Sequence, residues 1–152
     1  MTAEAKTSTG KAKAGWPAER VPAIVLFAGN TQLKWLRFLQ PGFRHCLIAV
    51  RLGTTWVIID PLSHKTALNV VEGFSGEELS HWYESQGLKA VRTFVREAPA
   101  KVAPMAPATC VEAVKRILGI HAWSVITPRQ LYDYLITYRN AAVDGGQVVR
   151  LR

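Results

Sequence analysis

His45-Cys-Leu-Ile-Ala-Val-Arg-Leu-Gly-Thr-Thr-Trp-Val-Ile-Ile-Asp-Pro-Leu62 decides how this chain folds. Two runs rich in β-branched and apolar residues, His45 to Leu52 and Thr55 to Leu62, flank Gly53-Thr54. A two-residue gap that holds glycine between such runs predicts a β-hairpin. If Gly53 and Thr54 form the loop, Leu52 pairs with Thr55, Leu47 faces Asp60 and His45 faces Leu62. His45 and Asp60 then become diagonal neighbours on one face, while Cys46, Ile48 and Val50 point to the other. A one-residue slip in register would separate them.

Outward from the hairpin, Pro22 to Gly29 (PAIVLFAG) reads as a short buried strand, and Thr31 to Leu39 (TQLKWLRFL) as a short helix ended by Pro41-Gly42. Ser75 to Gln86 opens with Ser75 and Glu78 in capping-box spacing and stops before Gly87, so it predicts a helix. Leu88 to Glu97 reads as another strand. Ala98 to Pro107 holds Pro99, Pro104 and Pro107 and reads as a connector. Thr109 to Leu118 has helical period, with Val111, Val114, Ile117 and Leu118 apolar and Gly119 as its stop. Thr127-Pro128 opens a last helix, Arg129 to Tyr138. The expected class is α+β, a small antiparallel sheet packed against the helix that carries Cys110.

A chain of 152 residues, 49% hydrophobic, suits one domain with a real core. The expected division is a flexible basic tail over 1–20, one folded domain over 21–140 and a C-terminal extension over 141–152. No apolar run reaches membrane-spanning length, and the first fifteen residues lack the apolar stretch of a secretory signal, so a cytoplasmic location is the default expectation. Nineteen basic against eleven acidic side chains give a formal charge of +8. Such an excess suits an anionic cell-wall polymer, lipid or nucleic acid. The basic residues are scattered, with no dense run interleaved with aromatics, which argues against nucleic acid as the main partner.

Cys110 follows Thr109, a plausible N-cap, and so falls in the first turn of its helix. There the positive end of the helix dipole favours a thiolate, and free N–H groups suit an oxyanion. A small inert core residue is the other reading. His45 begins a strand after a loop, a position that suits a general base or an imidazole bonded to a loop carbonyl. Asp60, before Pro61, either orients that imidazole or caps the Pro61-Leu62-Ser63 corner, and the two roles are compatible. Cys46, expected to face the core, reads as inert, although one Cys46–Cys110 disulfide is open to the chain. His64, His81 and His121 carry weaker signals. The sequence has no metal-ligand spacing, and it calls for no metal or cofactor. The five tryptophans suit packing and hinges better than a ligand platform.

The order of these parts resembles the circularly permuted branch of the NlpC-like papain fold, which includes lecithin–retinol acyltransferase-like and YiiX-like proteins. A His-headed hairpin (PGFRHCLIAV) is followed by a polar residue on its partner strand (VIIDPL), a Cys-headed helix comes later (ATCVEAVKRILGI), and TPRQLYDYL closes the pattern. The resemblance spans roughly Ala23 to Leu135. Val111 departs from it, standing where the family often has a small residue. It implies a bacterial or phage thiol hydrolase, an amidase or peptidase acting on a peptide or acyl substrate such as a peptidoglycan stem peptide. Cys110 would be the nucleophile, His45 the base and Asp60 the third member. Acyl transfer is the branch's other chemistry. A non-catalytic binding or scaffold protein, a phage or assembly component that keeps the fold, is the alternative from a different class.

Overall fold

The computed structural model describes residues 20–29, 40–97 and 106–143, with side chains as far as Tyr138. The expected tail up to residue 19, the helix at 31–39, most of the proline-bearing connector and the extension beyond 143 lie outside the described residues.

Five strands form one antiparallel sheet: β1 (Pro22–Ala28), β2 (His45–Leu52), β3 (Thr55–Pro61), β4 (Thr66–Glu72) and β5 (Lys89–Phe94), in the order β4-β3-β2-β1-β5. Three helices complete the α+β architecture: α1 (Gly76–Ser85), α2 (Cys110–Ile117) and α3 (Pro128–Val143). None of the described helices is long and apolar enough to cross a membrane.

The hairpin register is the one its two-residue loop demands. Pairs run from Leu52↔Thr55 to Ile48↔Ile59, with Gly53 at φ 64°, a left-handed turn position that glycine adopts without steric penalty. β1 lies between β2 and β5 and is buried on both faces, which explains its unbroken apolar run. On one face Val25, Phe27, Cys46, Ile48 and Val91 meet Val111, Val114 and Leu118 of α2 and Leu131 and Leu135 of α3. On the other, Ile24, Leu26, Leu47, Ala49, Trp56 and Ile58 meet Leu79 of α1. Helices therefore cover both faces of the sheet. Trp56 also ties in the approach to α1, its indole Nε1 donating to the Phe74 carbonyl at 2.9 Å.

The helix starts follow their caps. The Ser75 hydroxyl accepts from the Glu78 amide, and the Glu78 carboxylate accepts from the Ser75 amide, so the capping box closes in both directions. Thr127 caps α3, its Oγ1 accepting from Gln130 N at 3.2 Å, with Pro128 at the first helical position.

β4 is the strand that sequence reading did not assign. It pairs with β3 from Thr66↔Pro61 to Glu72↔Thr55. Its apolar residues follow no clean alternation, and Leu68 and Val70 are about two-thirds exposed. Backbone pairing at the sheet edge holds it, and a burial pattern does not report that.

Candidate active site

The site forms where β2 begins and α2 begins. Thr109 is extended, at φ −110° and ψ 161°, and its Oγ1 accepts from Glu112 N at 3.2 Å. Cys110 is thereby the first residue of α2, at the positive end of the helix dipole. Glu112 anchors that first turn from within the core. Its carboxylate accepts from Lys115 Nζ at 2.8 Å and from Arg116 Nε at 3.0 Å. Lys115 Nζ also donates to the Val125 carbonyl at 3.0 Å, tying α2 to the segment that leads into α3. Burial opposes ionisation of Glu112, but the two cations outweigh it and hold its pKa below the usual carboxylate value.

β2 sends its first two side chains to opposite faces. His45 continues the row of Leu47 and Ala49, and Cys46 that of Ile48 and Val50. The described β2–β3 pairs end at Ile48↔Ile59, while β1 pairs β2 as far as His45, and Cys110 packs against the cluster that holds Cys46. There Cys46, through its thiol and backbone N–H, and the His45 ring are the groups that act on the Cys110 sulfur. Both cysteines are free, Cys46 fully buried and Cys110 partly so.

His45 Nε2 lies 2.5 Å from Asp60 Oδ1. Nδ1 is therefore the ring nitrogen left for the sulfur. Asp60 bonds the His45 ring, and His45 and Cys110 each shift the other's pKa, which links the three residues singled out from the sequence. The diagonal placement of His45 and Asp60 is the one the hairpin register demands.

The charges follow from these contacts. The Cys46 thiol is the largest influence on Cys110 and lowers its pKa. Burial pulls the other way, and the His45 hydrogen bond, the Cys46 backbone N–H and the imidazolium charge add to the lowering. Together they bring the Cys110 pKa down from 9.0 to about 4. Burial is likewise the largest influence on His45 and disfavours its charge. Hydrogen bonds to Cys110 and Asp60, with their negative charges, overcome it and raise the imidazole from 6.5 to about 9. Around neutral pH the site is a thiolate–imidazolium pair.

Two contributors were not legible as such from the sequence. Cys46 is buried as expected, and it is also the largest influence on the Cys110 pKa. Its own pKa is held well above the usual thiol value by its bond to Cys110, by burial and by the charges of Cys110 and Asp60. Tyr83 of α1 lies within the field of Asp60, and burial together with that negative charge raises its pKa, so it stays a phenol. No local spacing could have marked either residue, because both act through tertiary contacts.

The other histidines stand apart. His64 is exposed, and His81 is largely exposed beside Glu84 at 4.0 Å. Among the described residues, no group of three or more His, Cys, Asp or Glu side chains is placed to hold a metal ion. Trp56 is core, whereas Trp82 and Trp123 are exposed; Trp16 and Trp35 lie outside the described residues.

Comparison with protein-family models, with curated proteins and with solved structures finds no match.

Proposed function

We propose that the protein is a thiol hydrolase that cleaves an amide bond through an acyl-enzyme on Cys110. The observation that carries this reading is Cys110 at the start of α2 together with the His45 ring held by Asp60, with the thiol pKa lowered by Cys46 and His45. An adjacent base, a base-orienting carboxylate and a lowered thiol pKa are what nucleophilic thiol catalysis needs. The order of parts, a His-bearing strand before a Cys-bearing helix, supports a permuted papain-like arrangement of the α+β fold.

In this mechanism the Cys110 thiolate attacks the substrate carbonyl carbon, and a C–S bond forms as the carbonyl π-electrons move to oxygen. First-turn N–H groups of α2, which have no intrahelical acceptor, stabilise that oxyanion. As the intermediate collapses the C–N bond breaks, and the proton on His45 passes to the departing amine. Neutral His45 then takes a proton from water, whose oxygen attacks the thioester. Breaking the C–S bond releases the acid and restores the thiolate–imidazolium pair. Asp60 holds the ring through Nε2 and balances its charge. The resemblance in chain order supports peptidoglycan stem peptides as the amide class.

The test is incubation with stem-peptide fragments, followed by acid quench and mass spectrometry. Amine release with an acyl group on Cys110, both lost in Cys110→Ala, supports the reading. Acylation by activated esters without amide cleavage would favour acyl transfer. A native protein inert towards both would favour a scaffold that retains the fold.

A further inference from the structure

The hydrolytic cycle leaves one nucleophilic atom unconsumed, the sulfur of Cys46. It is free and fully buried, in the cluster against which Cys110 packs. The two residues sit on different elements, the second position of β2 and the first of α2, and the same apolar cluster packs around both. Cys110 is the more accessible of the two, and Cys46 is buried. An accessible thiol packed against the cluster that holds a second, buried thiol is the arrangement of a sensor cysteine with its resolving partner.

We propose that Cys110 and Cys46 form a peroxide-responsive pair, in which peroxide oxidises Cys110 and Cys46 resolves it as an internal disulfide. In the first step the Cys110 thiolate attacks one oxygen of hydrogen peroxide. An S–O bond forms, the O–O bond breaks, and the departing hydroxide takes the His45 proton and leaves as water. Cys110 is now a sulfenic acid, oxidised by two electrons, and the peroxide is reduced. In the second step the Cys46 sulfur attacks the Cys110 sulfur. The S–S bond forms, the S–O bond breaks, and the leaving hydroxide takes the Cys46 proton as a second water. The first step makes the second easier, because it removes the negative sulfur that keeps Cys46 protonated. The disulfide occupies the catalytic sulfur and protects it from irreversible oxidation until a thiol reductant reopens it.

This chemistry needs no hydrolase substrate, so it stands or falls independently of amide cleavage. The experiment treats the native full chain with hydrogen peroxide, blocks free thiols with N-ethylmaleimide, and reads intact mass and non-reducing peptide maps. The expected result is the loss of two hydrogens, no maleimide uptake after unfolding, and one Cys46–Cys110 linked peptide that dithiothreitol reverses. In Cys46→Ser the same treatment should leave a single sulfenic acid at Cys110, captured by dimedone. Gain of two or three oxygens at Cys110 in the wild-type chain, with Cys46 still open to maleimide, would overturn the proposal. Disulfides only between chains would overturn it equally. The wild-type result decides the matter even if the serine variant fails to fold.

Discussion

His45 and Asp60 lie fifteen positions apart in the chain, yet Nε2 of one and Oδ1 of the other are 2.5 Å apart on one face of the β2–β3 hairpin. That contact fixes which ring nitrogen is left for Cys110 and places an anion behind the imidazolium. Asp60→Asn keeps the shape and removes the charge. The His45 pKa is expected to fall from about 9 towards the usual 6.5, read by NMR titration of the ring. Amide hydrolysis should drop about tenfold or more, because the ring is less firmly oriented and its charge less well balanced. An unchanged titration would show that Asp60 does not act on the ring.

Cys46 supplies the largest lowering influence on Cys110, so its removal should be visible in thiol reactivity. In Cys46→Ala the Cys110 pKa should rise above about 4, and Cys46→Ser, with a hydroxyl donor, should restore part of the lowering. Alkylation rates of Cys110 against pH measure both. Equal curves for all three proteins would remove Cys46 from the account of the nucleophile.

The ion pair also predicts how stability changes with pH. Cys110 has a depressed folded pKa, so its contribution is complete above the unfolded value of 9.0 and is lost as pH falls through about 4. His45 has a raised folded pKa, so its contribution is complete below the unfolded value of 6.5 and is lost as pH rises through about 9. From pH 4 to 6.5 only the Cys110 change operates, and stability should rise. From 6.5 to 9 the two changes oppose each other and the curve should level. Denaturant unfolding of the wild type minus that of the His45→Ala/Cys110→Ala double variant isolates this profile. A difference that falls between pH 4 and 6.5 would contradict it.

Lys115→Met leaves the Glu112 carboxylate buried without its closer cation and releases the Val125 carbonyl. Breaking a buried pair from one side costs about 3–5 kcal/mol. Arg116 still reaches Glu112, which places the expected loss at about 3 kcal/mol, the lower end of that range, in a denaturant titration. A loss below about 1 kcal/mol would show the pair to be no more than a surface contact.

Much of this architecture is legible in the chain because it is local. Gly53-Thr54 sets the hairpin register, which puts His45 and Asp60 on one face. Ser75, Thr109 and Thr127 mark helix starts by their side-chain oxygens, and the Cys110 position follows from Thr109. β4 escaped because an edge strand with exposed Leu68 and Val70 lacks the alternation that burial imposes. Strand parity puts Cys46 on the core face, where burial among Ile48 and Val50 follows from the sequence, but its influence on Cys110 has no local signal. Only the packing of α2 against β2 brings the Cys110 sulfur under the influence of both Cys46 and His45.

The central claim is that Cys46, His45 and the first turn of α2 together hold Cys110 as a thiolate ready to attack a carbonyl. Iodoacetamide alkylation of Cys110 across pH, located by peptide mapping in the wild type and in His45→Ala, tests it most directly. The expected result is an apparent wild-type pKa near 4 that rises in the variant by the part His45 supplies. Coincident profiles, or a native Cys110 that titrates near 9.0, would contradict the account.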